Sequence, residues 1–396
     1  MTEVPVGIHD LAFATAHYVL SHARLAEHTG ADIGKYHHGI GQEAMSVPVR
    51  DEDIVTMAAT AARAIVHRHP DADIRTVVLA TETSIDQSKS AGIYVSSLLG
   101  LPSSIRVVEL KQACYAGTAG LQFACSLVAA APEQSVLVIA SDIAKYELDS
   151  PGEATQGAGA AAMLVSAHPA ILRVERPAGL YTADIMDFWR PNYRDAALVD
   201  GQASVVAYLQ AVESAWKDYR EQGGRPLGDF VAFCYHQPFT KMAYKAHRHL
   251  LTCSDTDVTE DEMHAMIAPT TVYNRAIGNS YTASLYIGLA SLLDHGGDLT
   301  GQSIALLSYG SGCVAEFFGG TVVPGYRAHL RTAANAAVLA RREAIDYRRY
   351  RALRVHELPT DGGDHELPRQ TGAPFRLAGI TEHRRIYQPR PAAVAD

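Results

Sequence analysis

The sequence predicts an α/β fold assembled from two similar halves. Three observations carry this: short apolar runs rich in Val, Ile and Leu, helix-like segments of small and apolar residues between them, and a second half that repeats the plan of the first.

In chain order, the first half offers strands at residues 76–80 (TVVLA), 106–110 (RVVEL), 135–140 (SVLVIA) and 161–165 (AAMLV). Apolar runs of this length, bounded by polar or Gly-rich turns, suit strands covered on both faces. Helices are expected at 91–99 and 116–130. In the second half 229–235 (DFVAFCY), 303–308 (SIALLS) and 313–323 read as strands, and 282–293 reads as a helix with small residues on one side. ACYAGTAGLQFACSLVAA and NSYTASLYIGLASLL each set a polar residue at a helix start, then small residues, then an apolar helix, and each is followed by a strand and a Gly-rich turn. This loose duplication places the halves at 1–170 and 171–396. Two regions interrupt the scheme. Residues 180–224, with DIMDFWRP and a helical stretch ending in AWKDYREQGG, read as an insert. A charged tail from about 341 regains apolar and aromatic residues in FRLAGITEHRRIY.

Composition bounds the partners. The 396 residues are 47% hydrophobic and 19% charged, enough apolar side chains for a large core. A net charge of -9 and a pI near 6.0 argue against nucleic acid or an anionic membrane surface as the main partner. The N-terminus lacks the pattern of a signal peptide, and no apolar stretch is read as long enough to span a bilayer. Cys114, Cys125, Cys234, Cys253 and Cys313 form no CxxC pair, so neither a zinc site nor a disulfide framework is expected, and free thiols suit a cytoplasmic protein.

Among candidates for chemistry, Cys114 stands first. It lies where a strand gives way to a small-residue helix, where the helix dipole favours thiolate and backbone amides can receive an oxyanion. The alternative is a buried structural thiol. Cys125, Cys234 and Cys253 read as structural. His236, just past a strand and before the turn at Pro238, is placed to move a proton near neutral pH; with 18 His in the chain, a surface role competes. Glu82 ends the strand TVVLAT as an acid-base candidate or a simple helix cap. Asn279 occupies the place in its half that Cys114 holds in the first, as a carbonyl ligand or a cap. Ser311 lies in the Gly-rich turn SYGSGC. Lys241, Lys245 and Arg248 share a helical face that could meet phosphates or simply be solvated.

Taken in order, TETSIDQSK, ELKQACYAGTAG, YELDSPGEATQGAGAAAM, DFWRPNYRDAALVDG, YHQPFTKMAYKA, GNSYTASLYIGLASLL and SYGSGCVAEFF resemble the 3-hydroxy-3-methylglutaryl-CoA synthase family, in its compact bacterial mevalonate-pathway form. The likeness runs from GIHDLAF to FRLAGITEHRRIY, nearly the whole chain. It implies a thiolase-like fold of five layers, αβαβα, and a homodimer. It also implies condensation of acetyl-CoA with acetoacetyl-CoA without metal or redox cofactor. Cys114 would be the nucleophile, Glu82 the general base and acid, and His236 the acid that handles acetoacetyl-CoA. Tyr146, Thr155, Phe188, Asn279 and Ser311 match substrate-contacting positions, Asp187 a supporting acid, and Lys241 and Lys245 a coenzyme A contact. Cys313 has no role in this scheme.

Three rivals are distinguishable in principle. An initiating ketoacyl synthase would use Cys-His-Asn and has no counterpart of Glu82 or DFWRP. A β-branching synthase acting on an acyl-carrier protein would share the chemistry and differ in its docking surface. A binding protein on an inactive fold would have lost the nucleophile.

Overall fold

A computed structural model describes residues 4–355 and 358–390; the outermost residues of the two expected halves, 1–3 and 391–396, lie outside the described residues. Nine strands form one mixed sheet: β1 (Gly7–Thr15), β2 (Ile74–Ala80), β3 (Arg106–Leu110), β4 (Ser135–Ile143), β5 (Ala158–Ser166), β6 (Leu172–Thr182), β7 (Phe230–Tyr235), β8 (Ser303–Gly310) and β9 (Val314–Val322). Their order is β7-β8-β9-β6-β1-β5-β4-β2-β3. In the first half β4, β2 and β3 run parallel, and β5 is antiparallel to β4 and β1. In the second half β7 and β8 run parallel, and β9 is antiparallel to β8 and β6. The two halves thus share one topology about a junction between β1 and β6, and among the described residues the second has no counterpart of β3.

That junction is narrow. Gly7 and Ile8 pair with Arg173 and Leu172, and the Val174 and Ile171 amides donate to the Val6 and Ile8 carbonyls. A Cβ on Gly7 would stand 2.0 Å from the Leu172 carbonyl oxygen, so the chains meet here because position 7 has no side chain. The two half-sheets are held face to face by the helices between them.

Those helices are α2 (Ala116–Ala130) and α5 (Ser284–His295). The period of two in the strands assigns residues to layers. Val136, Val138 and Ala140 of β4 and Ile304 and Leu306 of β8 face the central helices, beside Leu121, Ala124, Ile287 and Leu289. Leu137 and Ile139 face outward onto α1 (Ile54–Arg68), and Ala305, Leu307 and Tyr309 onto the second outer layer. That layer is built of α3 (Gly201–Glu221) and α4 (Lys241–Cys253). The result is the five-layered αβαβα arrangement.

Two expectations are corrected. Residues 201–221 are not an insert: α3 covers β6 and β9 as α1 covers β1 and β5, with Tyr208, Ala211, Val212, Ala215 and Tyr219 inward. Residues 180–182 belong to β6, so the departure from the duplicated plan is the segment 183–200, in which Phe188–Trp189 and Leu198–Val199 pair as a short antiparallel ribbon. Secondly, Ala113–Ala130 is long and apolar enough by composition to cross a membrane, 18 residues with a mean hydropathy of 1.3. Its apolarity has another cause, since this segment contains α2, which lies between two sheets and is hydrophobic around most of its circumference.

Candidate active site

The C-terminal ends of β2 and β4 and the N-terminal ends of α2 and α5 meet at one place. The helices approach so closely there that a Cβ on Gly117 would stand 2.8 Å from the Thr282 carbonyl oxygen. Cys114 sits just before α2. Ala113, which precedes it, has a φ of +42°, a left-handed conformation that costs a residue with a Cβ about 1–2 kcal/mol. The end of β8 braces it: Gly310 lies so close that a Cβ would be 2.5 Å from the Gln112 carbonyl oxygen.

The Cys114 thiol donates to Glu82 Oε2 at 3.2 Å. Around the sulfur stand Ala144, Tyr146, Phe188, Ala197 and Tyr281, with the Phe188 ring 5.8 Å from those of both Tyr146 and Tyr281. Cys114 is 8% exposed. Burial and the adjacent Glu82 push its pKa well above the usual thiol value. The expected thiolate, stabilised by the helix dipole, is therefore not the resting form: with a carboxylate at hydrogen-bond distance, the sulfur keeps its proton and hands it over only as it reacts. Burial, then the negative charge of Asp142, raise the Glu82 carboxyl to about 8. Glu82 also forms part of the wall of a cavity of about 520 Å³ with Arg190, whose guanidinium donates to the Glu82 carbonyl oxygen at 3.2 Å.

Asp142 was not foreseen. It lies one residue before the end of β4, in SVLVIASD, and is fully buried. Its Oδ1 accepts from Thr81 Oγ1 (2.7 Å), Thr83 Oγ1 (2.6 Å) and the backbone amides of Glu82 (2.9 Å) and Thr83 (3.0 Å). Its Oδ2 accepts from the Thr282 amide (3.1 Å) and hydroxyl (2.5 Å). One carboxylate thus ties the Glu82 loop of the first half to the start of α5 in the second. The available signal was an acid closing an otherwise apolar run.

The expected equivalence of Asn279 and Cys114 is off by three residues. α2 starts at Ala116 and α5 at Ser284, and the left-handed Ala113 has its match in Tyr281, φ +44°. The position matching Cys114 is thus Thr282. Asn279 still reaches the site: its Oδ1 accepts from the Tyr281 amide at 2.9 Å, and its side chain and that of Thr155 engage the Tyr146 hydroxyl. The Asn279 amide donates to the Thr155 carbonyl at 2.9 Å. Gly157 makes this approach possible, since a Cβ there would stand 2.7 Å from the Asn279 carbonyl oxygen.

His236 follows β7 and is 2% exposed. Its loop is pinned to α5 by Ser284, whose hydroxyl accepts from the Gln237 amide at 2.9 Å. Tyr208 of α3 donates to the His236 carbonyl at 2.7 Å and lies near Cys114. Burial lowers the His236 pKa to about 3. The expectation of a histidine titrating near neutral pH is corrected: this imidazole is neutral and can donate N–H, as a neutral electrophile does.

Asp187 is buried under the site. Its carboxylate accepts from Tyr309 (2.6 Å), the Gly312 amide (3.0 Å) and Ser204 (3.4 Å), so it braces the turn that presents Ser311. Lys241 and Lys245 line a separate cavity of about 650 Å³ with Arg248, Arg275, His37 and His38. That larger cavity contains no nucleophile from the cluster around Cys114, and its cations suit an anion. Cys125, Cys234 and Cys313 are buried and unbridged, whereas Cys253 is exposed, contrary to its expected structural place.

An N-terminal hydroxymethylglutaryl-coenzyme A synthase profile matches residues 3–170, and the C-terminal profile of the same family matches 175–256 and 253–352. A hydroxymethylglutaryl-CoA synthase of Enterococcus faecalis is 43% identical over 360 residues, 90% of this chain and 93% of the relative. A 3-hydroxy-3-methylglutaryl-ACP synthase of polyketide biosynthesis from Bacillus subtilis is 32% identical over 351 residues, 83% of each chain. Among solved structures, an HMG-CoA synthase complexed with CoA superposes with a TM-score of 0.92 at 40% identity, covering 98% of this chain and all of the other. MvaS in complex with 3-hydroxy-3-methylglutaryl coenzyme A superposes with a TM-score of 0.89 at 39% identity, covering 97% and 99%. With two profiles spanning both halves and relatives alike over nearly the full length, the chain belongs to the hydroxymethylglutaryl-CoA synthase family.

Proposed function

We infer that this protein condenses acetyl-CoA with acetoacetyl-CoA and water to give 3-hydroxy-3-methylglutaryl-CoA and CoA, through an acetyl thioester on Cys114. The observation that carries the reading is the Cys114–Glu82 hydrogen bond of 3.2 Å inside an aromatic enclosure at the meeting of two helix N-termini.

The steps follow from the groups present. Cys114 Sγ attacks the acetyl thioester carbonyl while its proton passes to Glu82, and CoA leaves as the thiol after taking that proton. Storing the acetyl group covalently divides a hard condensation into two easier stages. Glu82, ionised again, removes a proton from the acetyl methyl. A base whose pKa lies near the working pH combines availability with driving force, and burial brings Glu82 to about 8. The enolate carbon attacks the ketone carbon of acetoacetyl-CoA. Neutral His236 donates N–H to the ketone oxygen, which gains a proton as the C–C bond forms. Water then cleaves the thioester at Cys114 and leaves a free carboxylate on the product. Of water's two protons and the one held by Glu82, one restores the Cys114 thiol, one restores neutral His236 and one passes to solvent. The sequence is redox-neutral and calls for no cofactor.

Asn279, Thr155 and Tyr146 are assigned to hold the acyl groups, with Phe188 excluding water and Ser311 beside them on the turn braced by Asp187. Lys241 and Lys245 are assigned to the coenzyme A phosphates. A free CoA thioester is preferred as acceptor to a carrier-bound chain, since identity to the CoA enzyme is higher and spans more of both chains. A homodimer is proposed through the open edge at β3: Val108 is exposed there, and Phe123 and Leu127, one turn apart on α2, are exposed beside it. A cytoplasmic location fits five unbridged cysteines.

Intact-mass measurement tests the reading. Acetyl-CoA alone is expected to add one acetyl group at Cys114, and acetoacetyl-CoA to discharge it as hydroxymethylglutaryl-CoA. An adduct discharged only by an acetoacetylated carrier protein would move the acceptor to the carrier. Folded protein that forms no adduct would overturn the mechanism.

A further inference from the structure

The last turn of α4 carries His249 and Cys253, four residues apart and therefore on one face. Glu213 of α3 reaches the same point. His249 Nε2 lies 3.4 Å from Cys253 Sγ and 3.3 Å from Glu213 Oε2, and one donor atom from each residue lies within 4.8 Å of the other two. In the metal-free chain the His249 N–H and the Cys253 thiol can both donate to Glu213, which holds the three side chains together. A cation at the centre engages all three donor atoms at once, with the imidazole carrying its proton on Nδ1. With a Zn–S bond of about 2.3 Å and Zn–N and Zn–O bonds of about 2.0–2.1 Å, a tetrahedron has an S···N edge of roughly 3.6 Å and an N···O edge of roughly 3.4 Å. The two distances observed are close to those edges before any side chain moves.

We propose that Glu213, His249 and Cys253 form a binding site for a divalent transition-metal cation of the Zn²⁺ class, bridging α3 and α4. The donor set of thiolate, imidazole and carboxylate favours Zn²⁺ or Co²⁺ over Mg²⁺ or Ca²⁺, which take oxygen ligands. Cys253 gives up its proton to solvent as the metal–sulfur bond forms. Glu213 and Cys253 are exposed, so the fourth position is open to water or to an outside ligand. His249 also lines the cavity that holds Lys241 and Lys245, which puts the cation at that cavity's rim. The site is independent of the reaction inferred above, and its geometry uses none of that reaction's residues.

The test uses the full chain, freed of any affinity tag and treated with chelator, then titrated with Co²⁺. One equivalent is expected to bind per chain, with the near-ultraviolet absorption of thiolate-to-Co²⁺ charge transfer, and Zn²⁺ is expected to abolish the band. Cys253→Ser should lose the band. His249→Ala and Glu213→Gln, on different helices, should each weaken binding by at least about 10-fold. Zn²⁺ should raise the melting temperature of the parent and not of His249→Ala. Circular dichroism checks that each variant is folded. Absence of the band in the parent, its persistence in Cys253→Ser, or equal affinity in parent and His249→Ala would each overturn the proposal.

Discussion

Replacing Asp142 by Asn changes one atom in the most heavily hydrogen-bonded group of the site. The carboxylate accepts six hydrogen bonds, four at Oδ1 and two at Oδ2. An amide must point its NH₂ at one of these sets. The Thr282 side is the less costly, because the Thr282 hydroxyl can turn and accept, but the Thr282 amide is then left facing another donor. Losing a bond to a charged group costs about 1.5–3 kcal/mol, and a stranded buried N–H costs about 1–3 kcal/mol. Relief of a buried charge offsets part of this, so the net loss is about 2–4 kcal/mol out of the ~5–15 kcal/mol that holds a typical domain. Denaturant titration reads that loss. A second readout separates a brace from a mere packing element. Asp142 is the second cause, after burial, of the raised Glu82 pKa. Removing a negative neighbour favours ionised Glu82, so its pKa falls below about 8 and the base form persists to lower pH. The acid limb of the acetylation rate, measured by quenched single turnover with labelled acetyl-CoA, should therefore move toward lower pH. An unmoved limb would refute the electrostatic coupling, and an undiminished stability would refute the brace.

Other consequences follow from the same geometry. Glu82 ionises near 4.5 when unfolded and near 8 when folded, so the native state holds the extra proton between those values and loses stability as pH rises through them; Glu82→Gln should abolish that slope and leave a variant more stable than the parent at pH 9, yet slow to take up acetyl from acetyl-CoA in quenched single turnover and unable to exchange the methyl protons of the acetyl-enzyme that does form with deuterated water. Lys241→Ala and Lys245→Ala should each raise KM for CoA thioesters several-fold with little change in kcat, and flatten the dependence of KM on salt; a fall in kcat with KM unchanged would remove both residues from phosphate binding. Phe123→Asp should shift the sedimentation coefficient from dimer to monomer if β3 and α2 form the interface, and a parent that already sediments as a monomer would end that reading.

Much of this fold was legible because both its halves obey simple periodicities. The runs at 76–80, 135–140 and 303–308 are strands covered on both faces, which makes them almost wholly apolar; the run at 106–110 is also a strand, but an edge strand that keeps Arg106 and Glu109 and leaves Val108 exposed. β1 escaped notice because His9 and Asp10 interrupt its apolar character; Asp10 is buried and paired with Arg331 and His69, so it reads as polar but lies in the core. α3 was mistaken for an insert because its seam toward the sheet is built mainly of Tyr, Trp and Ala, with Val212 its one fully buried branched aliphatic. At the site, local sequence pointed to Cys114, Glu82 and His236 through their places at element ends. It could not give their protonation, since burial and neighbours far apart in sequence decide that. Asp142 was invisible for the same reason: its six donors come from positions 81–83 and 282, and only the fold brings them together.

The duplication also explains why one half alone carries the nucleophile. The left-handed residue and the helix start recur at a constant spacing, Ala113 and Ala116 against Tyr281 and Ser284. Each half therefore builds the same backbone platform ahead of a central helix. In the first half the residue after the left-handed position is Cys114, whose sulfur meets Glu82. In the second it is Thr282, whose hydroxyl and amide both point at Asp142. A reactive group there would face a buried carboxylate already saturated by its own loop, at a position only 1% exposed. The hydroxyl instead fixes the position of the carboxylate that organises the Glu82 loop. One copy of the platform thus performs the chemistry and the other holds its geometry, which is why a substitution at Thr282, remote in sequence from every expected catalytic position, is predicted to act through Glu82.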